Sequence, residues 1–355
     1  MKFYHTADNH LGASLKSASF QAVKGLPSRT HEHFETFYRL LDTIDENQVD
    51  LFFITGDLFD SHHLTYRNVE QVLKRLQALN AQVFLIIGNH DTFLHKHVFQ
   101  TLLKGSNIHI FDHSTQKVSL EDVDIYGFNT SDFSEALLNE VNQSLNKDKH
   151  NVLLLHGDIL NKKDPHYLTD LSQLKATQFD YIGLGHIHKH AFLTPHIAYS
   201  GNLEPLDFSE VDSKGYIEGD LKTKTYHFVP FQKRMFHVLN IVVSETDDLY
   251  AIKDKIIHAA RDMRHSKDFF RIILEGVHAP SEIIDTEALS ALLMDTFYYV
   301  ELLDQTTPAI DLKTMKKTYK DTIIETLINQ YEASDNATLE SLHLALYALL
   351  KTEEV

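Results

Sequence analysis

Five short polar clusters recur between residues 8 and 188: Asp8-Asn9-His10, Gly56-Asp57-Leu58-Phe59-Asp60, Gly88-Asn89-His90-Asp91, His156-Gly157-Asp158 and Gly185-His186-Ile187-His188. From them Asp8, His10, Asp57, Asn89, His156, His186 and His188 offer seven nitrogen or oxygen donors. There is no cysteine, so disulfides and thiolate metal sites are excluded. A mixed set of imidazoles and carboxylates suits manganese, iron or zinc. With one carboxylate shared, seven donors are enough for about four protein ligands to each of two divalent ions, which leaves positions for water and substrate. Asp57 is the candidate bridge, because a carboxylate can use both oxygens. Two ions about 3.5–4 Å apart can polarise a phosphoryl group, activate a water and stabilise a leaving oxygen. Taken singly, each cluster reads as well as a turn or an ordinary strand. Five in order, each after an apolar run, do not.

The elements that must carry these clusters are legible from periodicity. Strands are expected at 2–6, 51–55, 83–87, 123–126, 152–155 and 181–184, and helices at 31–48, 66–79 and 133–145. Phe34, Phe37, Leu41 and Ile44 share one helical face, as do Val69, Val72, Leu73, Leu76 and Leu79. Alternation of buried strands with helices implies an α/β layered fold whose sheets are covered on both sides. Beyond Phe192 the pattern turns strand-rich, at 197–200, 216–221 and 226–230, which points to two sheets packed face to face with helices outside. In such folds sites gather beyond the carboxyl ends of the strands. Glycines 56, 88 and 185 are expected to permit tight turns there. Asp-x-His and His-x-His pairs would aim both side chains one way from extended backbone.

After residue 235 the character changes. Strands at 237–243, 269–276 and 298–303 alternate with helices at 248–263 and 285–297, a small α+β pattern. From Leu312 onward only helices are expected. An apolar stripe through Ile323, Leu327 and Tyr331, continued by Leu342, Leu346 and Leu349, fits either a docking face or self-packing. Leu312 to Lys320 is locally basic, a candidate contact for DNA or a partner and equally a solvated helix face.

The 355 residues carry a formal net charge of −17. Such a charge opposes unaided binding to nucleic acid, whose affinity rests on phosphate contacts. No stretch approaches the roughly 18 apolar residues of a membrane span, and no apolar leader follows Met1, so a cytoplasmic protein with no membrane partner is expected. His62, His63, His95, His97, His190 and His196 lie near the clusters and are read as non-ligands.

The ordered motifs resemble the calcineurin-like metallophosphoesterase superfamily. The fuller strings HTADNHLG at 5–12, ITGDLFDS at 54–61, IIGNHD at 86–91, LGHIHK at 184–189 and YSGNLEPLDFSE at 199–210 look like the SbcD-type DNA-repair exonucleases, within them the YhaO-like bacterial branch. The resemblance implies an αββα two-sheet sandwich forming a nuclease domain over 1–235. It further implies an α+β capping domain over 236–308 and C-terminal helices over 309–355 that could dock a partner. It implies that Asp8, His10, Asp57 and His188 hold one ion, usually manganese, and that Asp57, Asn89, His156 and His186 hold the other. His90 would stabilise the transition state or protonate the leaving oxygen, as suits an imidazole, which titrates near neutrality. Asp91 would orient His90, and Asp60 would support the site by hydrogen bonding. The implied partners are DNA, an SbcC-type coiled-coil ATPase that would answer the charge objection, and a second copy in a homodimer. Asn9 departs from the family pattern, in which tryptophan or leucine is more usual.

Three functions therefore stand side by side. The first is a DNA exo/endonuclease subunit. The second is an enzyme of the same superfamily acting on a small phosphoester, cyclic nucleotide or nucleotide-sugar, for which the segment after 235 would be superfluous. The third is a metal-free scaffold, disfavoured because every ligand position is filled. Ser61 and His62 after Asp60, and Asp91 after His90, differ from the phosphoprotein phosphatase pattern, and no tyrosine stands near the second motif as purple acid phosphatases require.

Overall fold

A computed structural model describes residues 1–13, 28–60, 64–91, 103, 105–112, 114–263, 267–279, 283–309, 311–334 and 338–352. His62, His63, His95 and His97 lie outside them. The chain divides into two compact units, Met1–Met235 and Phe236–Val355.

The first unit is built on two six-stranded sheets. In the first sheet β1 (Lys2–Thr6), β2 (Leu51–Thr55), β3 (Gln82–Ile86) and β4 (Ile108–Phe111) run parallel, and β11 (Gly215–Asp220) and β12 (Thr225–Pro230) extend the β1 edge antiparallel. The second has the order β5 (Lys117–Ser119), β6 (Val123–Phe128), β7 (His150–His156), β8 (Tyr181–Gly185), β10 (Ile197–Tyr199), β9 (Ala191–Thr194), with β6, β7, β8 and β10 parallel. The short strands β4, β5 and β9 are not among those expected from the sequence; their residues are only partly buried, unlike those of the equally short β10.

Side-chain alternation explains why the central strands are apolar throughout. Phe3, Leu51, Phe53, Phe84 and Ile86 meet Val123, Ile125, Val152, Leu154 and Tyr181 between the sheets. Their neighbours Tyr4, Phe52, Ile54, Val83 and Leu85 face outward onto α1 (Arg29–Glu46) and α2 (Tyr66–Gln77). On the far side Leu153, Leu155, Ile182 and Leu184 pack under α3 (Glu135–Gln143) and α4 (Leu171–Lys175). The layers run helix, sheet, sheet, helix.

One polar group sits inside this apolar seam. His5, fully buried on β1, shares hydrogen bonds with the Tyr181 hydroxyl and Thr55 Oγ1, both at 2.8 Å. Burial pushes its pKa down to about 3, so the ring is neutral and stitches one sheet to the other.

The parallel register brings the ends of β1, β2, β3, β7 and β8 to one edge, and the loops beyond continue the ladder. Asp8 N donates to Gly56 O at 3.0 Å, His10 N to Asp57 O at 3.0 Å and Gly157 N to Gly185 O at 3.2 Å. Of the three expected turn glycines only Gly56 has a left-handed φ, at 89°. Gly88 and Gly185 serve close approach instead. A Cβ at Gly185 would sit 1.8 Å from the Thr55 carbonyl oxygen, and one at Gly88 would sit 2.2 Å from Asp57 Oδ1.

The second unit opens with three parallel strands, β13 (Phe236–Val243), β14 (Phe269–His278) and β15 (Tyr299–Asp304), with the short β16 (Thr307–Pro308) pairing β14. Helices α5 (Leu249–Ala259) and α6 (Thr286–Leu293) pack on one face through Ile252, Ile256, Leu289 and Leu293. Three helices follow, α7 (Leu312–Thr318), α8 (Ile323–Glu332) and α9 (Leu339–Thr352). They pack on one another through Ile324, Ile328, Leu342 and Leu346, so the terminal stripe is self-packed. Leu327, Tyr331 and Leu349 pack against this cluster as expected, but Ile323 is exposed and Ile324 and Ile328 take the buried positions on α8.

Replacing His5 by alanine leaves the Tyr181 and Thr55 hydroxyls unsatisfied beside a cavity and should cost about 2–4 kcal/mol of stability, read by denaturant unfolding. Gly185→Ala should cost about 1–3 kcal/mol by forcing the sheets apart; unfolding at the wild-type midpoint would refute the close contact.

Candidate functional site

The carboxyl-end loops converge on a cavity of about 300 Å³ lined by His10, Asp57, Asp60, Asn89, His90, His186 and His188, with Ala13, Leu206, Asp207 and Glu210 completing the wall. Four of the seven non-glycine residues with positive φ among the described residues belong to these clusters: Asp8 at 50°, His10 at 41°, Asp57 at 49° and His186 at 99°. The Asp-x-His and His-x-His pairs are therefore not aimed by extended backbone, as expected from spacing. They lie past the strand ends, where left-handed kinks at Asp8, His10 and His186 turn the chain. Such conformations are costly for residues with a Cβ and concentrate at functional sites.

The donors fall into overlapping groups. Asp8, His10 and His188 bring ligand atoms within 4.8 Å of one another, as do Asp8, Asp57 and His156. Asp57 Oδ2 lies 3.9 Å from His10 Nε2 and 3.5 Å from His156 Nε2, between the two groups. His156 Nε2 also faces Asn89 Oδ1 at 3.2 Å, and its Nδ1 lies 2.8 Å from the Thr55 carbonyl oxygen. That bond puts the Nδ1 proton on the protein side and leaves Nε2 toward the cavity. Both carboxylate oxygens of Asp8 accept from the His186 backbone N–H, at 2.9 and 3.0 Å. His10 Nε2 and His188 Nε2 approach to 3.2 Å.

The charge pattern tests whether this set fits divalent cations. Asp8 and Asp57 are buried, and among the described residues neither forms an ion pair with a lysine or arginine. Burial pushes the Asp8 carboxyl up to about 6 against the pull of His156 and His188. Burial also opposes charge on His156, yet the Asp57 and Asp8 carboxylates raise it to about 9. A positive charge is thus favoured among these donors. Carboxylate, imidazole and amide oxygen are the donors that a pair of borderline divalent ions would use.

His90 flanks the same group. Its backbone N–H donates to Asp57 Oδ1 at 2.8 Å, and its ring lies 4.8 Å from that of His10, centroid to centroid. His10, Asp60 and His90 bring donor atoms within 4.8 Å of one another. Asp91 departs from expectation. Its fully buried carboxylate accepts from the backbone N–H of Phe59 at 2.8 Å, Gly88 at 3.0 Å and Leu58 at 3.3 Å, not from the His90 ring. It ties the second cluster to the third, because main-chain donors so deep in the fold must be paired. Asn9 turns back onto Thr6, whose hydroxyl donates to Asn9 Oδ1 at 3.1 Å. His190 stacks on Phe228 and His196 lies beside Thr194, so neither joins the cluster.

Sequence reasoning missed two carboxylates. Glu210 accepts from His188 Nδ1 at 2.7 Å, and Asp164 Oδ1 lies 3.3 Å from His186 Nε2. Asp164, Asp158 and His186 also form a compact group. Glu210 ends the string 199–210 with no role attached to it, and Asp164 lies in a loop with no apolar run before it. Asp164 does stand in an Asp-x-His pair with His166, the same spacing as Asp8 and His10, and that is the signal available for it.

The calcineurin-like phosphoesterase family profile matches residues 1–190. An uncharacterised metallophosphoesterase, YhaO of Bacillus subtilis, is 26% identical over 82% of this chain and 77% of its own length. The DNA double-strand break repair protein Mre11 of Methanococcus maripaludis is 27% identical over 62% of this chain and 63% of its own length, just under two thirds of that relative. The SbcD component of the SbcCD nuclease of Staphylococcus epidermidis is 23% identical over 72% of this chain and 76% of its own. With the family match spanning more than half of the 355 residues and the donors gathered at one edge of a two-sheet sandwich, the chain belongs to the calcineurin-like phosphoesterase family, hydrolases that bind a pair of divalent metal ions.

Proposed function

We propose that this chain is the nuclease subunit of a cytoplasmic DNA-repair complex, hydrolysing DNA phosphodiesters as an exo/endonuclease with two manganese ions. The observation that carries the reading is the position of Asp57 Oδ2 between His10 and His156, with His90 beside it. In this reading Asp8, His10, Asp57 and His188 hold one ion, and Asp57, Asn89, His156 and His186 the other. Two divalent ions, when bound, polarise the phosphoryl group and supply a hydroxide nucleophile at neutral pH. The protein does the rest. His90 hands a proton to the leaving oxygen or hydrogen-bonds the charge that develops on phosphate. Asp60, grouped with His10 and His90, supports that ring, and Asp91 holds the two loops in register.

The substrate class draws support from the relatives named for DNA double-strand break repair and for one component of a nuclease. A relative named as one component among several implies a complex, and we assign as partner an SbcC-type coiled-coil ATPase acting with a homodimer of this chain. Such a partner would bring the cationic surface that a net charge of −17 withholds. Residues 236–308 would cap the substrate, and the helices of 309–355 would dock the partner, with exposed Ile323 and Leu344 available to it. Of the basic stretch, Lys316 is paired with Glu332.

The reading is tested with end-labelled linear duplex DNA and Mn²⁺, beside a generic phosphodiester dye ester. Metal-dependent DNA cleavage lost in Asp57→Asn supports it; dye-ester hydrolysis with no DNA cleavage, alone or with the ATPase, favours a small phosphoester. Asp57→Asn should also weaken both Mn²⁺ binding events by calorimetry, since it removes the shared charge; two intact sites would sink the bridging role. His90→Ser should keep its metal content and lose turnover by a factor on the order of 10²–10⁴. Unchanged turnover would remove His90 from the mechanism.

A further inference from the structure

We infer that Glu210 is the positioning residue for His188, holding the ring so that Nε2 keeps its lone pair for a divalent cation. This deepens the two-metal reading and rests on it. His188 Nδ1 lies 2.7 Å from Glu210 Oε1. A ring that donates one N–H to a carboxylate presents the other nitrogen as an acceptor. Here that other nitrogen is Nε2, 3.2 Å from His10 Nε2 and grouped with Asp8.

Glu210 lines the cavity, yet its oxygens are already engaged. Oε2 accepts from Asn202 Nδ2 at 2.8 Å, from Leu206 N at 3.3 Å and from Lys214 Nζ at 3.0 Å. That saturation argues against Glu210 as a metal ligand and for Glu210 as a support. Lys214 completes the grip. Its side chain is buried, and Nζ also donates to the His188 carbonyl oxygen at 2.9 Å. One ion pair between buried Lys214 and half-buried Glu210 therefore holds the ring of His188 through Glu210 and its main chain through Lys214. A buried ammonium is costly unless paired and hydrogen-bonded, and Lys214 Nζ is also 3.5 Å from Asp212 Oδ2, so its charge stays paired from two sides.

The other histidines are held differently. His156 relies on a backbone carbonyl, which carries no formal charge, and His186 faces the more exposed Asp164. A carboxylate partner raises the basicity of a ligand imidazole. Loss of Glu210 should therefore weaken the site that contains His188 and spare the one that contains His156.

The test is calorimetric titration of the chelator-stripped full chain with Mn²⁺. The wild type should show two binding events. Glu210→Ala should weaken one of them about 10–100-fold and leave the other. Glu210→Gln, which keeps the shape and can still accept from the ring, should lose less; it also keeps the test open if the alanine variant fails to fold. Adding Glu210→Ala to His188→Ala should change nothing further, because the ring it serves is gone. Two unchanged events in both Glu210 variants, or a further loss in the double variant, would overturn the proposal and leave two-metal binding standing. A wild-type chain that takes up fewer than two Mn²⁺ would overturn both.

Discussion

The carbonyl oxygen of Thr55, the last residue of β2, is where the two sheets of the first unit meet at the functional edge. It lies 2.8 Å from His156 Nδ1, and Gly185 passes so close that a Cβ would fall 1.8 Å away. One main-chain atom thereby sets the orientation of a ring from β7, the approach of β8 and the start of the loop that carries Asp57. The parallel register does the rest, since it ends β1, β2, β3, β7 and β8 on one edge. Residues from the loops after β1, β2, β3 and β8 then line one cavity.

Around that edge the fold gathers charge that, among the described residues, no lysine or arginine neutralises at Asp8 and Asp57. Cationic side chains lie one layer out. Arg29 is buried against Glu32, Glu204 and the carbonyl of Pro205, and Arg234 reaches the same Glu32. These bonds fasten α1 to the loop that brings Leu206, Asp207 and Glu210 to the cavity wall. The permanent cations hold the walls, and the centre is left to carboxylates and imidazoles. Such a division suits a family whose members bind a pair of divalent ions, because buried carboxylates without a fixed cation keep their demand for positive charge.

The second unit follows a different logic. Its four-stranded parallel sheet is covered on one face by α5 and α6, while Val238 and Val242 on β13 remain exposed. The terminal helices bury Ile324, Ile328, Leu342 and Leu346 among themselves. That packing covers most of the apolar stripe, while Ile323 and Leu344 stay exposed on the same helices.

Much of the first unit could be read before any coordinates. Continuous apolar runs such as residues 51–55 and 152–155 read as strands covered on both faces, and the 3.6-residue stripes of 31–48 and 66–79 as helices lying on them, which the structure places at Arg29–Glu46 and Tyr66–Gln77. Residue type alone also marked the seven donors, because carboxylate, imidazole and amide side chains placed directly after buried strands have little else to do in common. What sequence could not show is direction in space. Asp8, His10, Asp57 and His186 sit on left-handed backbone that no side-chain pattern announces. Asp91 bonds to main-chain N–H groups, which nearly every residue has and no motif can single out. Glu210 reaches His188 from 22 positions away. Residue types and their order along the chain therefore determined the chemistry available, while contacts between distant segments decided the aim of each group and the carboxylates that back them.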